Sequence, residues 1–346
     1  MAEWSHYSQI DPEFKPLVDT IPSLPTEVPV EQARGFLDAA VKQRNSKLES
    51  TLPPSSEYTV TEHEIPVGGG VTAFARSVVP KPRDGEDGTF PVLFWLHGGG
   101  FVVGDRNVDD YWLRTASVEV RIATVNFEYR LAPEHVFPAA VDDSFAALKY
   151  VASNAAKFSA ALKKGFLVGG TSAGANVAAV ISHLARDDPF SFFTFRLWSI
   201  TKPFLKGELS SSWPLGKRSL LTLRWKSSYL SFEQNKDAPI LNKSKIEYFY
   251  SLYKPKPTDT KFSPLLLKTH KGLPPAYFQI CGLDPLRDEG LIYERVLKEA
   301  DVPTKYDVYS GVPHAFEGAA PHLKQAVKLR EDRHIGLKWL LEQGKA

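Results

Sequence analysis

The 346 residues carry 42 Lys and Arg against 40 Asp and Glu, a formal charge of +2, with 43% hydrophobic and 12% aromatic residues. That composition supplies enough apolar surface for one large core and argues against wholesale disorder, while so small a net charge offers neither nucleic acid nor an anionic membrane surface a concentrated cationic patch. The expected partner is a small molecule, and the single cysteine, Cys281, excludes an internal disulfide and fits a reducing compartment, so a cytoplasmic location is expected.

The first residues, Met1-Ala2-Glu3-Trp4-Ser5-His6, lack the basic start and apolar run of a secretory signal, and no uninterrupted apolar stretch of ~18 residues follows. Neither export nor a transmembrane segment is expected. Residues 1–55 hold scattered prolines and one short amphipathic candidate, residues 31–47, where Ala33, Phe36, Leu37, Ala40 and Val41 recur at helical spacing. This stretch reads as an appendage outside the core, which is expected over residues 56–346. Residues 80–88, rich in Pro, Gly and charge, read as a hairpin or loop between residues 71–79 and the run 91–96. That second run is continuously apolar, as a strand covered on both faces must be.

Strands and helices then alternate. Residues 123–129 predict a strand, 138–153 a helix, 165–169 a strand and 173–186 a helix rich in Ala and Val. Further on, 276–281 predict a strand, 288–300 a helix, 305–309 a strand and 324–342 a final helix. The fold class that follows is α/β, a mostly parallel sheet with helices on both faces. Residues 190–229 do not fit. From Phe190 to Phe232 there is one acidic residue, Glu208, against seven Lys or Arg, nine Ser and three Trp, with no period of 2 or 3.6, and the strand expected there cannot be located.

The strongest local signal is Gly170-Thr171-Ser172-Ala173-Gly174, which follows the apolar Phe166-Leu167-Val168 and opens a helix. Such a tight strand-to-helix turn holds a serine with its Oγ above the sheet and tolerates only small neighbours, whereas the bare Gly-x-Ser-x-Gly pattern often occurs by chance. A serine hydroxyl needs a base, itself oriented by a carboxylate. Asp284 lies just after the strand 276–281 and His314 just after 305–309, both at strand C-terminal ends, where open parallel sheets bind ligands. Asp288 or Glu289 could serve as the acid instead, and Asp284 could be a plain turn or cap residue. Among the other histidines, His6, His63 and His97 precede the serine, His183 sits in the helix behind it, and His270, His322 and His334 have no strand immediately before them. A second motif, His97-Gly98-Gly99-Gly100-Phe101, follows the strand ending at Leu96. Three glycines alone read as a flexible turn; beside Ser172 they read as an oxyanion hole, with donors from Gly98, Gly99 or Gly100 and from the N–H of Ala173.

At these residues the chain resembles the hormone-sensitive-lipase-like branch of the α/β-hydrolase esterases. The resemblance rests on His97 to Gly100, on Tyr129-Arg130-Leu131-Ala132-Pro133-Glu134-His135 with Phe137-Pro138-Ala139-Ala140, on Gly170 to Asn176, on Asp284-Pro285-Leu286-Arg287-Asp288-Glu289-Gly290, and on His314-Ala315-Phe316. It implies hydrolysis of carboxylic esters without a metal or organic cofactor, a triad at Ser172, Asp284 and His314, a cap built partly from N-terminal helices, and bracing of the site by residues 129–143, with Glu134 and Asp142 structural. Thr171 stands where many members have Asp, which leaves the chemistry little affected. Residues 190–229 depart further, as a lineage-specific insert or a mistranslated segment such as a retained intron.

A serine carboxylesterase acting on short- or medium-chain acyl esters is the reading that follows. The alternative is a non-catalytic small-molecule-binding protein or inactive relic on the same scaffold, since the plant gibberellin receptors resemble this family yet lack the catalytic histidine. A lipase, peptidase or lactone hydrolase shares the triad but has less support in the sequence, and a homodimer is compatible with it.

Overall fold

The computed structural model describes residues 3–21, 24, 28–188, 195–200, 225 and 228–343. Eight strands make one sheet: β1 (Tyr58–Gly68), β2 (Val71–Pro80), β3 (Val92–Leu96), β4 (Ala123–Glu128), β5 (Phe166–Gly170), β6 (Phe195–Ile200), β7 (Ala276–Cys281) and β8 (Thr304–Tyr309). Their order is β1-β2-β4-β3-β5-β6-β7-β8, antiparallel between β1, β2 and β4 and parallel from β4 onward. The longer helices are α1 (Val30–Leu48), α2 (Asp110–Val120), α3 (Ala139–Ser153), α4 (Ala173–Asp187), α5 (Lys243–Tyr253), α6 (Arg287–Glu299) and α7 (Lys324–Glu342).

The continuous apolar run of β3 has a direct cause. Val92, Phe94 and Leu96 pack with Val141 and Leu148 of α3 and Val177 and Ile181 of α4, while Leu93 and Trp95 pack with Trp112 and Leu113 of α2 and Leu337 and Leu340 of α7. Both faces of the strand are covered, so every side chain must be apolar. Because β4 lies on one side of β3 and β5 on the other, the loops after β3 and β5 meet where the strand order reverses, the place where such sheets bind ligands. Leu96 pairs with Gly170 in register, which sets the two loops side by side.

Of the hairpin or loop expected over residues 80–88 the structure has the loop, because β2 pairs with β1 and β4; the hairpin is β1–β2, turning at Gly69. Three readings of the sequence need correction. Strand β1 was missed because its Thr59 to His63 stretch is mostly polar, as an outer strand with exposed side chains can be. Residues 1–55 are not outside the core: Phe14 is fully buried with Cys281, Tyr309, Val312 and Phe316. The strand that could not be located is β6, Phe195–Ile200, hydrogen-bonded in parallel to β5 and β7, so the ladder of the central sheet is unbroken. Its Phe-Arg-Leu-Trp-Ser-Ile sequence lacks the apolar continuity of its neighbours, and pairing on both sides defines it. The expectation of an insert or mistranslated segment otherwise falls mainly on residues 190–194, 201–224 and 226–227, outside the described residues. Helices α2 and α5 were not anticipated either. Among the described residues no helix is long and apolar enough to cross a membrane.

Candidate active site

Between the end of β5 and the start of α4 only Thr171 and Ser172 remain to reverse the chain. Ser172 takes φ 55° and ψ −119°, a backbone conformation that costs a non-glycine residue about 1–3 kcal/mol and persists only where its surroundings enforce it. The flanking glycines are such an enforcement. A methyl group on Gly174 would stand 2.1 Å from the Leu96 carbonyl oxygen, and one on Gly170 would stand 2.4 Å from the backbone of Gly174. The spacing of the two glycines around Ser172 is therefore set by the close approach of the turn to β3.

The loops after β7 and β8 carry the other two residues. Ser172 Oγ lies 2.9 Å from His314 Nε2, and His314 Nδ1 lies 2.6 Å from Asp284 Oδ2. With Nδ1–H donated to the carboxylate, Nε2 is left to accept the serine hydroxyl. Asp284 is fully buried, and its second oxygen accepts the Leu286 N–H at 2.7 Å, so neither carboxylate oxygen lacks a donor. The acid and histidine loops are also bonded to each other: Gly282 N–H donates to the Tyr309 carbonyl at 2.7 Å and Leu283 N–H to the Val312 carbonyl at 3.0 Å. Asn235 Nδ2 donates to the Asp284 carbonyl at 2.9 Å, fixing the backbone from behind.

The alternative acids are engaged elsewhere. Asp288 Oδ2 accepts the N–H groups of Leu230 and Ser231, its Oδ1 accepts Arg287 Nε, and Glu289 accepts the Tyr229 hydroxyl. Of the other histidines, His63 meets Ser77, His183 meets Tyr293 and His334 meets Glu119. Glu134 pairs with Arg34 and Asp142 with Lys261, while the buried carboxylate that holds Arg130 is Asp143.

The glycine loop after β3 lies against the serine turn, since a methyl group on Gly98 would stand 3.3 Å from Ser172 Cβ. The backbone N–H groups of Gly98, Gly99, Gly100 and Ala173 enter no turn or loop hydrogen bond among the described residues. The Gly99 carbonyl instead accepts from Val102 and Val103, closing a turn that needs φ 128° at Gly99. His97 supports this loop from inside. Burial lowers its pKa, its Nδ1 donates to the Gly98 carbonyl at 2.7 Å, its ring stacks on Tyr129 at 4.4 Å, and its carbonyl accepts the Tyr129 hydroxyl at 2.7 Å. Sequence reasoning missed Asn235 and the N-terminal residues Tyr7 to Asp11, which bond to Gly311 in the histidine loop. No local pattern marks them. Their role exists only through loops distant in the chain.

The arrangement matches known proteins. A model of the alpha/beta hydrolase fold family matches residues 93–318. An AB hydrolase superfamily protein of Schizosaccharomyces pombe is 32% identical across 98% of this chain and 96% of its own length. Carboxylesterase NlhH of Mycobacterium tuberculosis is 32% identical across 89% of this chain and 88% of its own. The crystal structure of a vibralactone cyclase superposes with a TM-score of 0.89 at 36% identity, covering 99% of this chain and 97% of that one.

Proposed function

As this chain belongs to the α/β-hydrolase fold family, in its hormone-sensitive-lipase-like branch, and is a carboxylic ester hydrolase, we propose that Ser172, His314 and Asp284 are its catalytic triad and that its substrates are small-molecule esters with short- to medium-chain acyl groups. What supports the triad most is the unbroken hydrogen-bonded run from Asp284 Oδ2 through His314 to Ser172 Oγ, at 2.6 and 2.9 Å.

In the first half-reaction Ser172 Oγ attacks the ester carbonyl carbon as its proton passes to His314 Nε2, and Asp284 stabilises the imidazolium through Nδ1–H. The former carbonyl oxygen becomes an anion, received by the N–H of Ala173 and by donors among Gly98, Gly99 and Gly100; each such donor contributes about 2.7–4 kcal/mol in comparable sites. The C–O bond to the alcohol then breaks, and the alcohol departs with the proton from Nε2. In the second half, His314 takes a proton from water, the resulting hydroxide equivalent attacks the acyl-enzyme, and the proton returns to Ser172 as the acid leaves. On this reading residues 1–55 form the cap and residues 56–346 the catalytic domain, with β6 a regular strand of that domain. Its expected setting is the cytoplasm, and a homodimer is compatible with the reading.

The Ser172→Ala variant tests the assignment. It is expected to lose turnover of a short p-nitrophenyl ester and labelling by a fluorophosphonate, which should be confined to Ser172 in the parent chain. Unchanged turnover in the folded variant would overturn the triad. The binding-protein alternative has no support among the esterase relatives. A second reading is favoured by the vibralactone cyclase match at TM-score 0.89: a hydroxyl on the acyl chain replaces water and closes a lactone on the same triad. A hydroxyacyl ester whose product is the free acid alone argues against it.

A further inference from the structure

Helix α1 belongs to the cap, yet one of its side chains reaches the backbone beside the glycine loop. Arg34 Nε donates to the Val102 carbonyl at 3.0 Å and Nη2 donates to the Ala132 carbonyl at 3.0 Å. Nη1 and Nη2 also make a fork on Glu134, at 2.8 and 2.7 Å. Four of the five guanidinium N–H donors are thereby used, on two carbonyls and one carboxylate at once.

The positions of these carbonyls give the contact its meaning. Val102 lies two residues beyond Gly100, and its N–H closes the turn on the Gly99 carbonyl at 3.1 Å. Ala132 N–H donates to the Phe101 carbonyl at 2.9 Å. Arg34 therefore completes a circuit in which the glycine loop is held on one side by the 129–134 segment and on the other by the cap helix. The neighbouring α1 residues Val30 and Ala33 are buried in the main core, which seats the helix rigidly enough to serve as an anchor.

Stability of the ion pair alone does not account for the arrangement. The side chains of Arg34 and Glu134 are 27% and 48% exposed, and exposed pairs of this kind contribute little. The bonds from Arg34 hold the Glu134 carboxyl down to about 2, so the fork stays charged throughout the neutral range. A planar, fully ionised fork suits a task of orientation, and a lysine ammonium cannot span two carbonyls and a carboxylate in the same way.

We infer that Arg34 is a positioning residue for the oxyanion hole: by holding the Val102 and Ala132 carbonyls it sets the direction of the Gly98, Gly99 and Gly100 N–H groups and couples the seat of the cap helix to stabilisation of the tetrahedral intermediate. The inference rests on the proposed role of those glycines. Arg34 need not touch the substrate. Its effect falls on the charged transition state and leaves ground-state binding unaltered.

The full chain, Arg34→Ala, Arg34→Lys and Glu134→Gln are compared on a short p-nitrophenyl ester, with kcat expressed per fluorophosphonate-titrated site so that misfolded protein does not count. Arg34→Ala is expected to lose roughly tenfold in kcat, less than the loss of an entire oxyanion donor, with KM nearly unchanged. Arg34→Lys should recover little of this, Glu134→Gln, which loosens the fork but leaves the bonds to the Val102 and Ala132 carbonyls, should fall between the parent and Arg34→Ala, and added guanidinium ion should restore part of the loss in Arg34→Ala. An alkyl boronic acid, which forms a tetrahedral anion on the serine, should weaken in proportion to kcat/KM. Equal kcat per titrated site in both Arg34 variants and the parent overturns the inference, as does a loss of kcat with undiminished boronate affinity. If Arg34→Ala does not fold, Arg34→Lys gives the same two readouts. A parent chain that neither turns over ester nor labels at Ser172 defeats the triad proposal instead, so the two failures are distinguishable.

Discussion

Replacing Asp284 by asparagine keeps the shape of the side chain and removes its charge, so the outcome depends on which way the amide turns. In the parent chain Oδ1 accepts the Leu286 N–H at 2.7 Å and Oδ2 faces His314 Nδ1 at 2.6 Å. An amide that keeps its oxygen on Leu286 aims its NH2 group at Nδ1 and makes that nitrogen an acceptor. The imidazole proton then sits on Nε2, 2.9 Å from Ser172 Oγ, where it blocks removal of the hydroxyl proton. In comparable triads that wrong tautomer lowers kcat by about 10⁴. An amide that turns over restores the Nδ1–H donor but leaves the buried Leu286 N–H facing another donor, at a cost of ~1–3 kcal/mol, or roughly 5- to 160-fold in the active population. The loss in kcat for Asp284→Asn is therefore bounded below by roughly fivefold and above by about 10⁴. Steady-state hydrolysis of a short p-nitrophenyl ester, on protein shown to be folded by near-UV circular dichroism, measures it. A kcat equal to that of the parent would refute the orienting role of Asp284, and so would a larger loss from Asp288→Asn at the same folded fraction.

Two further outcomes follow from the geometry around the site. Gly311 sits at φ 71° with its N–H on the Tyr7 carbonyl and its carbonyl on Asp11 N–H, and a methyl group there would stand 2.3 Å from both Asp11 N and Gln9 O. Gly311→Ala is expected to lower stability by about 1–3 kcal/mol and, because His314 is three residues on, to slow fluorophosphonate labelling as well; an unchanged melting temperature and labelling rate would contradict it. Away from the triad, burial pushes the imidazoles of His183 and His270 down to about 3 and about 4, with Arg186 adding to the effect on both. The unfolded chain binds these protons near pH 6.5 and the folded chain does not, so stability is complete above that pH and falls as the pH drops toward 4. Between pH 7.5 and 5 the loss is ~2 kcal/mol for each imidazole. Urea midpoints at the two pH values measure the sum, and a His270→Leu chain with the parent's pH slope would count against the assignment.

How much of this was legible beforehand depended on how far apart the interacting residues lie. The turn around Ser172 was readable because its demands are local: an apolar strand, a helix start and two glycines whose methyl groups would strike β3 or the turn itself. The glycine loop after Leu96 was readable for the same reason. The acid was narrowed to Asp284, Asp288 and Glu289, all within one short segment, and only side-chain direction separates them: Asp284 meets His314, whereas the other two meet residues 229–231 and Arg287. Strand β6 was hidden because its pattern is ordinary until β5 and β7 are placed on either side of it.

By itself the sequence determined the alternating α/β class, the strained serine turn and the approximate places of the histidine and the acid, since backbone sterics and burial on two faces are written in runs of a few residues. Tertiary structure alone decided that Ser172 meets His314 across 142 residues and that His314 meets Asp284 across 30. It also brought Tyr7 to Asp11 beneath the histidine loop and carried Arg34 from the cap helix to the carbonyls beside the glycine loop. The physical reason is that hydrogen bonds act over about 3 Å, and the order in which strands pair in the sheet, not proximity along the chain, determines which loops come that close.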